Sequence, residues 1–597
     1  ERLESRFDSY KTKLGIIEKN IYGIDIEPMA VEISRLRTWL SIIVDEESDS
    51  KKIKPLPNLE FKFVCANSLI DLNNGTSVLG DDPDLDVKLQ NIRDAYFNTE
   101  SLNKKKKLRL DYEKLVSGQK NLFGESLRSK QLKTYKPFDN ESSAVFFNPE
   151  FMFGIKNFDI IVGNPPYVQI QSKAVEEKNE LKSQDYQTYV ATGDLYCLFY
   201  EKGWKLLKNN GLLSFITSNK WMRSGYGKAL REFFVVKTNP IVLLDLGSNV
   251  FDGATVDTNI LIFSKSSNDG RTRAIKITKK ELEKQIQQAN LINFNHSNGW
   301  FIGSNNEISL KDKIEKIGSP LKEWDIKIYR GILTGFNKAF IITTEKRNEL
   351  LNSCKTEKER KKTEEIIKPI LRGRDILKYD YKWDGLWVIF INWHFPLHKN
   401  LIKGASLMAE KEFKKQYSVI YDHLLKYKDE LSARNKEETG IRYEWYAMQR
   451  CANTYYEEFE KDKIIYSEIV RSPQFYFDNS KNFYAEATAF LMTGDKIKYI
   501  CGLLNSRPCT YFFKNFYAGG GLGENGYRYK KKFLENLPIP KISNENNLII
   551  NQIEVLVDKI VKSKTENLTT KELENEMDQL VCKLYNLNEE EKTFILK

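Results

Sequence analysis

Short apolar runs of strand length alternate with helix-period stretches through the first half of the chain. That rhythm constrains the fold more than any other feature. The runs are Ile21–Ile26, Leu59–Cys65, "FDIIVG" at Phe158–Gly163, "GLLSFIT" at 211–217, "IVLLDLG" at 241–247 and "TNILIFSK" at 258–265. Between them, Pro28 opens an amphipathic helix with Ile33, Leu36, Leu40 and Ile43 on one side, and helices are predicted at Leu195–Leu207 and Gly227–Val236. Strands alternating with helices predict a doubly wound α/β domain with a mainly parallel sheet. Residues 72–150 interrupt the rhythm; they are polar, contain "NKKKKLRL" and predict a largely helical insertion.

Near residue 315 the character changes. "WDIKIYRGILTGFNKAFIITTEKR" and "IIKPILRGRDILKYDYKWDGLWVIFIN" are β-rich, aromatic and basic, with a helical middle at 405–435. The tail carries Ile553, Leu556, Val557 and Ile560, then Met577, Leu580, Val581 and Leu584, at helical spacing, which predicts two packed helices. The expected organisation is an α/β catalytic domain at 1–315, an α+β domain at 316–542 and a helical tail at 543–597. A chain of 597 residues is too long for one core, which agrees with this division.

Composition narrows the function classes. The net charge of +11 permits a polyanionic partner without establishing one. The 30 Tyr and 34 Phe suit base stacking, although core packing accounts for most of them. Seven cysteines without a CxxC pair, beside four histidines, predict no metal site and free thiols in a reducing cytoplasm. With no signal peptide and no apolar run of about 18 residues, neither export nor membrane insertion is expected.

The "FDIIVG" strand runs directly into Asn164-Pro165-Pro166-Tyr167. Two prolines fix the turn where the strand stops, and open α/β sheets bind ligands beyond the carboxyl ends of their strands. The Asn164 carboxamide oxygen and the Pro165 carbonyl can both accept from one exocyclic NH₂ group. Tyr167 offers a face for a ring to stack on. The plain alternative is a Pro-Pro turn after a buried strand. At Asp25, in "GIDIEP", an acid at a strand end can take the hydroxyls of a ribose, or it can cap the helix that starts near Pro28.

On these residues the sequence resembles the amino-methyltransferases that use S-adenosylmethionine (SAM), whose signature strand ends in Asn- or Asp-Pro-Pro-Tyr or Phe. The resemblance implies that Asn164 and the Pro165 carbonyl bind the amine to be methylated while Tyr167 stacks on a flipped base. It implies that Asp25 binds the SAM ribose, that Ile26 packs on its adenine, and that Asn67 and Ser68 of "CANSLI" belong to the cofactor site. The family often has Asp where Asn67 stands. "GDLYCLFY" places Asp194 and Tyr196 near the pocket, with Asp194 assigned to the cofactor side. "SNVFDGATVDTNILIF" assigns Phe251 to the target base, the alternative being a buried ring at a strand edge. The Gly-rich turn that lies against the SAM methionine should precede Asp25, yet residues 1–24 contain none. The chain begins at Glu1, and the expectation is a Rossmann-like sheet missing its first strand. "GGGLGENG" at 519–526 follows no strand that opens a helix and reads as a mobile loop.

The phrases "YRGILTGFNKAFII", "IIKPILRGRDILKY" and "FLENLPIPKI" resemble the target-recognition region of restriction–modification adenine methyltransferases, most closely the type IIG polypeptides that fuse endonuclease, methyltransferase and recognition parts. That resemblance implies a double-stranded DNA partner, an upstream endonuclease domain, and phosphate or base contacts from Arg330, Lys338, Arg372, Arg374 and Lys378. The leading expectation is a site-specific N6-adenine DNA methyltransferase. The alternatives are an RNA adenine or protein glutamine methylase, and an inert DNA-recognition fragment.

Overall fold

The computed structural model describes residues 9–44, 59–73, 84–97, 99, 101–117, 126–247, 250–251, 256–277, 287–297, 299–451, 455–480, 482–518 and 526–596. The chain divides into two units, Glu1–Gly303 and Ser304–Lys597. The "GGGLGENG" loop lies outside the described residues except for Gly526.

The first unit opens with α1 (Ser9–Asn20), β1 (Gly23–Asp25), α2 (Pro28–Ile43) and β2 (Phe63–Cys65), and β1 pairs with β2 in parallel. Both strands are shorter than expected. The chain turns before β2, with the Lys62 and Phe63 amides both donating to the Leu59 carbonyl. Helix α2 begins at Pro28 as predicted, but it buries Val31, Arg35 and Ile42. Ile33, Leu36 and Leu40 of the predicted apolar side are 49%, 51% and 46% exposed, so that stripe is left largely uncovered by the described residues.

The insertion is helical, with α3 (Leu85–Phe97), α4 (Leu102–Ser117), α5 (Leu127–Thr134) and α6 (Pro149–Phe153). Its aromatic residues pack inward: Tyr96 and Phe138 meet each other, and Phe61 ahead of β2, edge-on or tilted at 5.0–5.7 Å. Then come β3 (Phe158–Gly163), α7 (Val175–Ser183), α8 (Tyr196–Leu206), β4 (Leu207–Ser218), α9 (Gly227–Lys237), β5 (Asn239–Gly247), β6 (Thr258–Ser264), β7 (Thr272–Lys276) and β8 (Asn290–Ile292).

These strands form one sheet in the order β3-β4-β6-β5-β7-β8. The expectation of a mainly parallel sheet is corrected: β3–β4 and β5–β7 are parallel, while β4–β6, β5–β6 and β7–β8 are antiparallel. A parallel crossover needs about a dozen residues or more. The link at 248–257 is shorter than that, so β6 returns antiparallel beside β5. Among the described residues β3 pairs only with β4, and β1 only with β2. The Tyr22 and Phe158 rings meet at 6.0 Å, which sets the starts of β1 and β3 side by side. Ile160 and Val162 on β3 are 63% and 75% exposed.

The second unit contains two four-stranded sheets. In one, Ile326–Arg330, Ala489–Gly494, Lys463–Ser467 and Phe475–Asp478 lie antiparallel in that order. In the other, Ile341–Thr343, Leu386–Ile389, Ile367–Leu371 and Tyr484–Ala485 are neighbours, the last pair parallel. The helices Thr344–Asn352 and Glu357–Ile366 were not expected in this β-rich stretch. The predicted helical middle is three helices, Leu407–Gln416, Ser418–Leu425 and Lys428–Ser432. The aromatic excess is mostly interior, as with Phe459 and Tyr484 stacked at 4.7 Å. A buried ion pair joins cross-strand partners: Lys463 Nζ lies 2.8 Å from Asp478, and both side chains are fully enclosed. The tail is three helices rather than two, Asn547–Thr565, Lys571–Leu584 and Glu589–Leu596; all eight predicted apolar positions of the first two are buried.

Candidate functional site

The strand β3 ends at Gly163, just before Pro165 and Pro166, which lack backbone donors; position 163 is glycine because β4 approaches closely there. A Cβ at 163 would sit 2.8 Å from the Phe215 ring. Beyond it Asn164 is exposed, Pro165 is buried and Tyr167 is half-buried. The Tyr167 hydroxyl donates to Asn164 Oδ1 at 3.4 Å, a long bond that leaves the amide oxygen able to accept again.

The Tyr167 ring is braced from behind. Its edge meets Tyr196 at 6.1 Å and 85°. The Tyr196 and Tyr226 hydroxyl oxygens are 2.7 Å apart, and Tyr226 donates to Asp194 Oδ2 at 2.7 Å. Asp194 is buried, so its carboxylate serves this relay. Burial pushes the Tyr167, Tyr196 and Tyr226 phenols above their ordinary range, and the Asp194 charge adds to the last two. The backbone completes the clamp: the Ile170 amide donates to the Gly193 carbonyl at 2.8 Å, and the Leu195 amide to the Val168 carbonyl at 2.9 Å. Tyr226 was missed in the sequence because it stands 32 residues from Asp194 in an unremarkable "SGYGK" turn.

At the ends of β1 and β2, Asp25, Ile26 and Asn67 come together. The Ala66 amide donates to the Asp25 carbonyl at 2.9 Å, and Cys65 Sγ lies 3.3 Å from the Ile26 carbonyl. Asp25 is exposed, with Oδ1 accepting from the Glu27 amide at 2.9 Å. It makes a local turn rather than capping α2, whose cap position is Glu27. Ile26 is 53% exposed, and Asn67 Oδ1 accepts from the Leu69 amide at 3.1 Å. Ser68 beside it is half-buried. An exposed carboxylate beside an exposed aliphatic side chain fits the ribose and adenine of SAM. Phe251, after β5, is 38% exposed rather than buried.

In the second unit, a cavity of about 760 Å³ gathers four of the five cations singled out in the sequence: Arg330, Lys338, Arg372 and Arg374. They are not equivalent. Arg330 Nε donates to the Ala487 carbonyl at 3.1 Å. Arg372 is gripped by Asp375, with Nε and Nη2 each donating at 2.8 Å, and also reaches Asp384; these bonds raise its pKa. Lys338 is exposed, and the Arg374 side chain is 73% exposed. The fifth, Lys378, lies elsewhere: its Nζ pairs with Glu574 at 2.6 Å beside a different cavity that Arg507 lines. Glu468 and Glu486 also line the cationic groove, a feature the sequence did not flag.

Residues 19–251 match the family described as Eco57I restriction-modification methylase, and residues 368–539 match the TaqI-like C-terminal specificity domain. A putative type II restriction enzyme and methyltransferase of Methanocaldococcus jannaschii, RM.MjaORFECS2P, is 31% identical over 326 residues, 44% of this chain and 27% of that protein. The type II methyltransferase M.PaeR7I of Pseudomonas aeruginosa is 26% identical over 250 residues, 39% of this chain and 41% of that protein. The chain thus spans less than half the length of either relative. Among solved structures, the type IIL restriction-modification enzyme MmeI in complex with DNA superposes with a TM-score of 0.53 at 12% identity, over 99% of this chain and 74% of that one. The chain therefore carries an Eco57I-like restriction-modification methylase domain followed by a TaqI-like C-terminal specificity domain.

Proposed function

We propose that this chain is the modification part of a restriction–modification protein and transfers a methyl group to the N6 of an adenine in double-stranded DNA. One observation carries the reading. Asn164 stands exposed at the carboxyl end of β3, beside a Tyr167 ring that Tyr196, Tyr226 and Asp194 hold in place.

Adenine N6 is inaccessible while stacked in a duplex, so the base must leave the helix. Tyr167 would take one face of the ring, a contact of about 1–3 kcal/mol, and Phe251 would support the base. Asn164 Oδ1 and the Pro165 carbonyl would accept the two N6 hydrogens, drawing the nitrogen toward tetrahedral geometry with its lone pair aimed outward. The proton lost on transfer leaves toward the same oxygens or water. SAM, when bound, supplies the methyl group. Asp25 would hold its ribose hydroxyls and Ile26 its adenine, with Asn67 and Ser68 alongside. The rate gain comes mainly from positioning. The cationic groove of the second unit would bind the duplex, and the combined naming of the M. jannaschii relative as restriction enzyme and methyltransferase supports an accompanying endonuclease.

Among the described residues the flanks of β1 and β3 facing away from their partners are open, which favours a second reading of the isolated chain. Ile160, Val162 and the bare stripe of α2 are apolar surface that a further strand and helix would cover. On this reading the chain binds DNA and transfers nothing until that strand, with its SAM-contacting turn, is supplied.

Mapping of methylated adenines in DNA from cells expressing the gene tests the assignment. Wild type should modify one sequence and Asn164→Ala none; equal modification by the variant overturns it. Calorimetric titration of the purified chain with SAM separates the two readings, since stoichiometric binding removes the need for a completing strand. Competition by structured RNA or a glutamine peptide, with no duplex binding, would replace DNA as substrate.

A further inference from the structure

The groove of the second unit contains more than positive charge. Arg330 and Arg372 are fixed by the protein's own acceptors, the Ala487 carbonyl and the Asp375 and Asp384 carboxylates. Arg374 is different: its nearest carboxylate contact is 4.0 Å from Asp375, and its side chain is 73% exposed. Two acids share the wall. Glu486 is turned into its own loop, where Oε2 accepts from the Thr488 amide at 2.9 Å and its hydroxyl at 2.6 Å. Glu468 is half-buried and has no such internal bond among the described residues.

Arg374 and Glu468 start from neighbouring points. Each follows a residue of one tight junction: a Cβ on Gly373 would lie 3.1 Å from Ser467 Oγ and 2.7 Å from the Thr488 carbonyl. The Gly373 amide also donates to Thr488 Oγ1 at 2.9 Å. A tight junction thus puts an exposed five-donor fork and an acceptor-only carboxylate in the wall of one groove.

A track for phosphates alone has no use for the carboxylate, because like charge at close range opposes binding. Base edges do have a use for it. In the major groove guanine shows O6 and N7 as acceptors, which an Arg fork matches, and its partner cytosine shows an N4 amino donor, which a Glu accepts. We infer that Arg374 and Glu468 together read one G·C pair of the recognised DNA, while Lys338 contacts phosphate and Arg330 and Arg372 shape the groove. The inference rests on the proposal that this unit binds duplex DNA.

The test is selection from a randomised duplex pool with the full chain, followed by salt titration of duplex affinity. Wild type should enrich a site containing a fixed G·C pair. Arg374→Ala and Glu468→Ala should each relax that pair alone and weaken binding to the wild-type site by about 5- to 150-fold, with Glu468→Gln as the size-matched check. The slope of log affinity against log salt should stay unchanged for Glu468→Ala. Lys338→Ala should keep the selected sequence and reduce the slope by about 0.9. Selection of an unaltered sequence by Arg374→Ala, with a reduced salt slope, overturns the inference and makes Arg374 a phosphate contact. An unaltered sequence with both Glu468 variants overturns the pairing. If wild type itself enriches no sequence, the DNA-specificity reading of the unit fails, and this inference with it.

Discussion

Tyr226→Phe is the sharpest test of how the Asn164 loop is held. The substitution removes one oxygen and little volume, so packing stays intact. Two bonds of 2.7 Å disappear, one to Tyr196 and one to the Asp194 carboxylate. A hydrogen bond to a charged group contributes about 1.5–3 kcal/mol and a neutral one about 0.5–1.5 kcal/mol. Asp194 is only 7% exposed, so water does not replace the lost donor without rearrangement. The expected destabilisation of the first unit is about 2–4 kcal/mol. At roughly 2 °C per kcal/mol for a unit of this size, its melting transition should fall by about 4–8 °C. Tyr196→Phe is the internal control. It loses the neutral bond and leaves Asp194 its donor, so it should cost about 0.5–1.5 kcal/mol. Differential scanning calorimetry at neutral pH reads both variants. If Tyr226→Phe melts with wild type, or Tyr196→Phe costs as much, the relay does not support the loop and the reasoning is wrong.

Tyr167→Ala should weaken methyl transfer and binding to a duplex with a mismatched target adenine by about 5- to 150-fold, the equivalent of one base stack, whereas Tyr167→Phe should stay near wild type because it loses only the 3.4 Å contact. Gel shift and single-turnover assays separate the two. Lys62 is held down to about pKa 8, chiefly by burial and also by Arg93. The unfolded chain therefore binds the extra proton between about pH 8 and the ordinary lysine value, and wild-type stability rises across that window. Lys62→Met, which also gives up the 3.9 Å contact over the Tyr22 ring, should gain about 1–3 kcal/mol at pH 7, a gain that vanishes by pH ~10.5; melting at the two pH values decides. Gly373→Ala must push the Thr488 carbonyl away from a 2.7 Å contact. Overpacking of this kind costs about 1–3 kcal/mol, and a melting temperature equal to wild type would show that the junction is loose.

Several elements were legible because they rest on local rules. The apolar runs before Asn164 and at 211–217, 241–247 and 258–265 are strands, Pro28 starts its helix, and the eight apolar positions of the tail are buried. The direction of β6 was not legible, since strand pairing depends on which edge a short link can reach. Neither was the exposure of Ile33, Leu36 and Leu40 on α2, because periodicity shows which residues share a side and not whether the described residues cover it. Lys378 reads like its neighbours in sequence but turns to Glu574, a partner 196 residues away.

The sequence by itself determined the chemistry on offer: an amide and a ring after a proline-locked strand end, an acid at the end of the first strand, and a run of cations downstream. Those follow from residue identity and backbone restriction, which act over a few positions. Only the tertiary structure decided which of those groups are available. It engaged Asp194 in the Tyr226 relay, fixed Arg330 and Arg372, left Arg374 exposed in the groove and put Glu468 in the wall of the same groove. Availability depends on burial and on partners distant in sequence, and these are set when the chain packs.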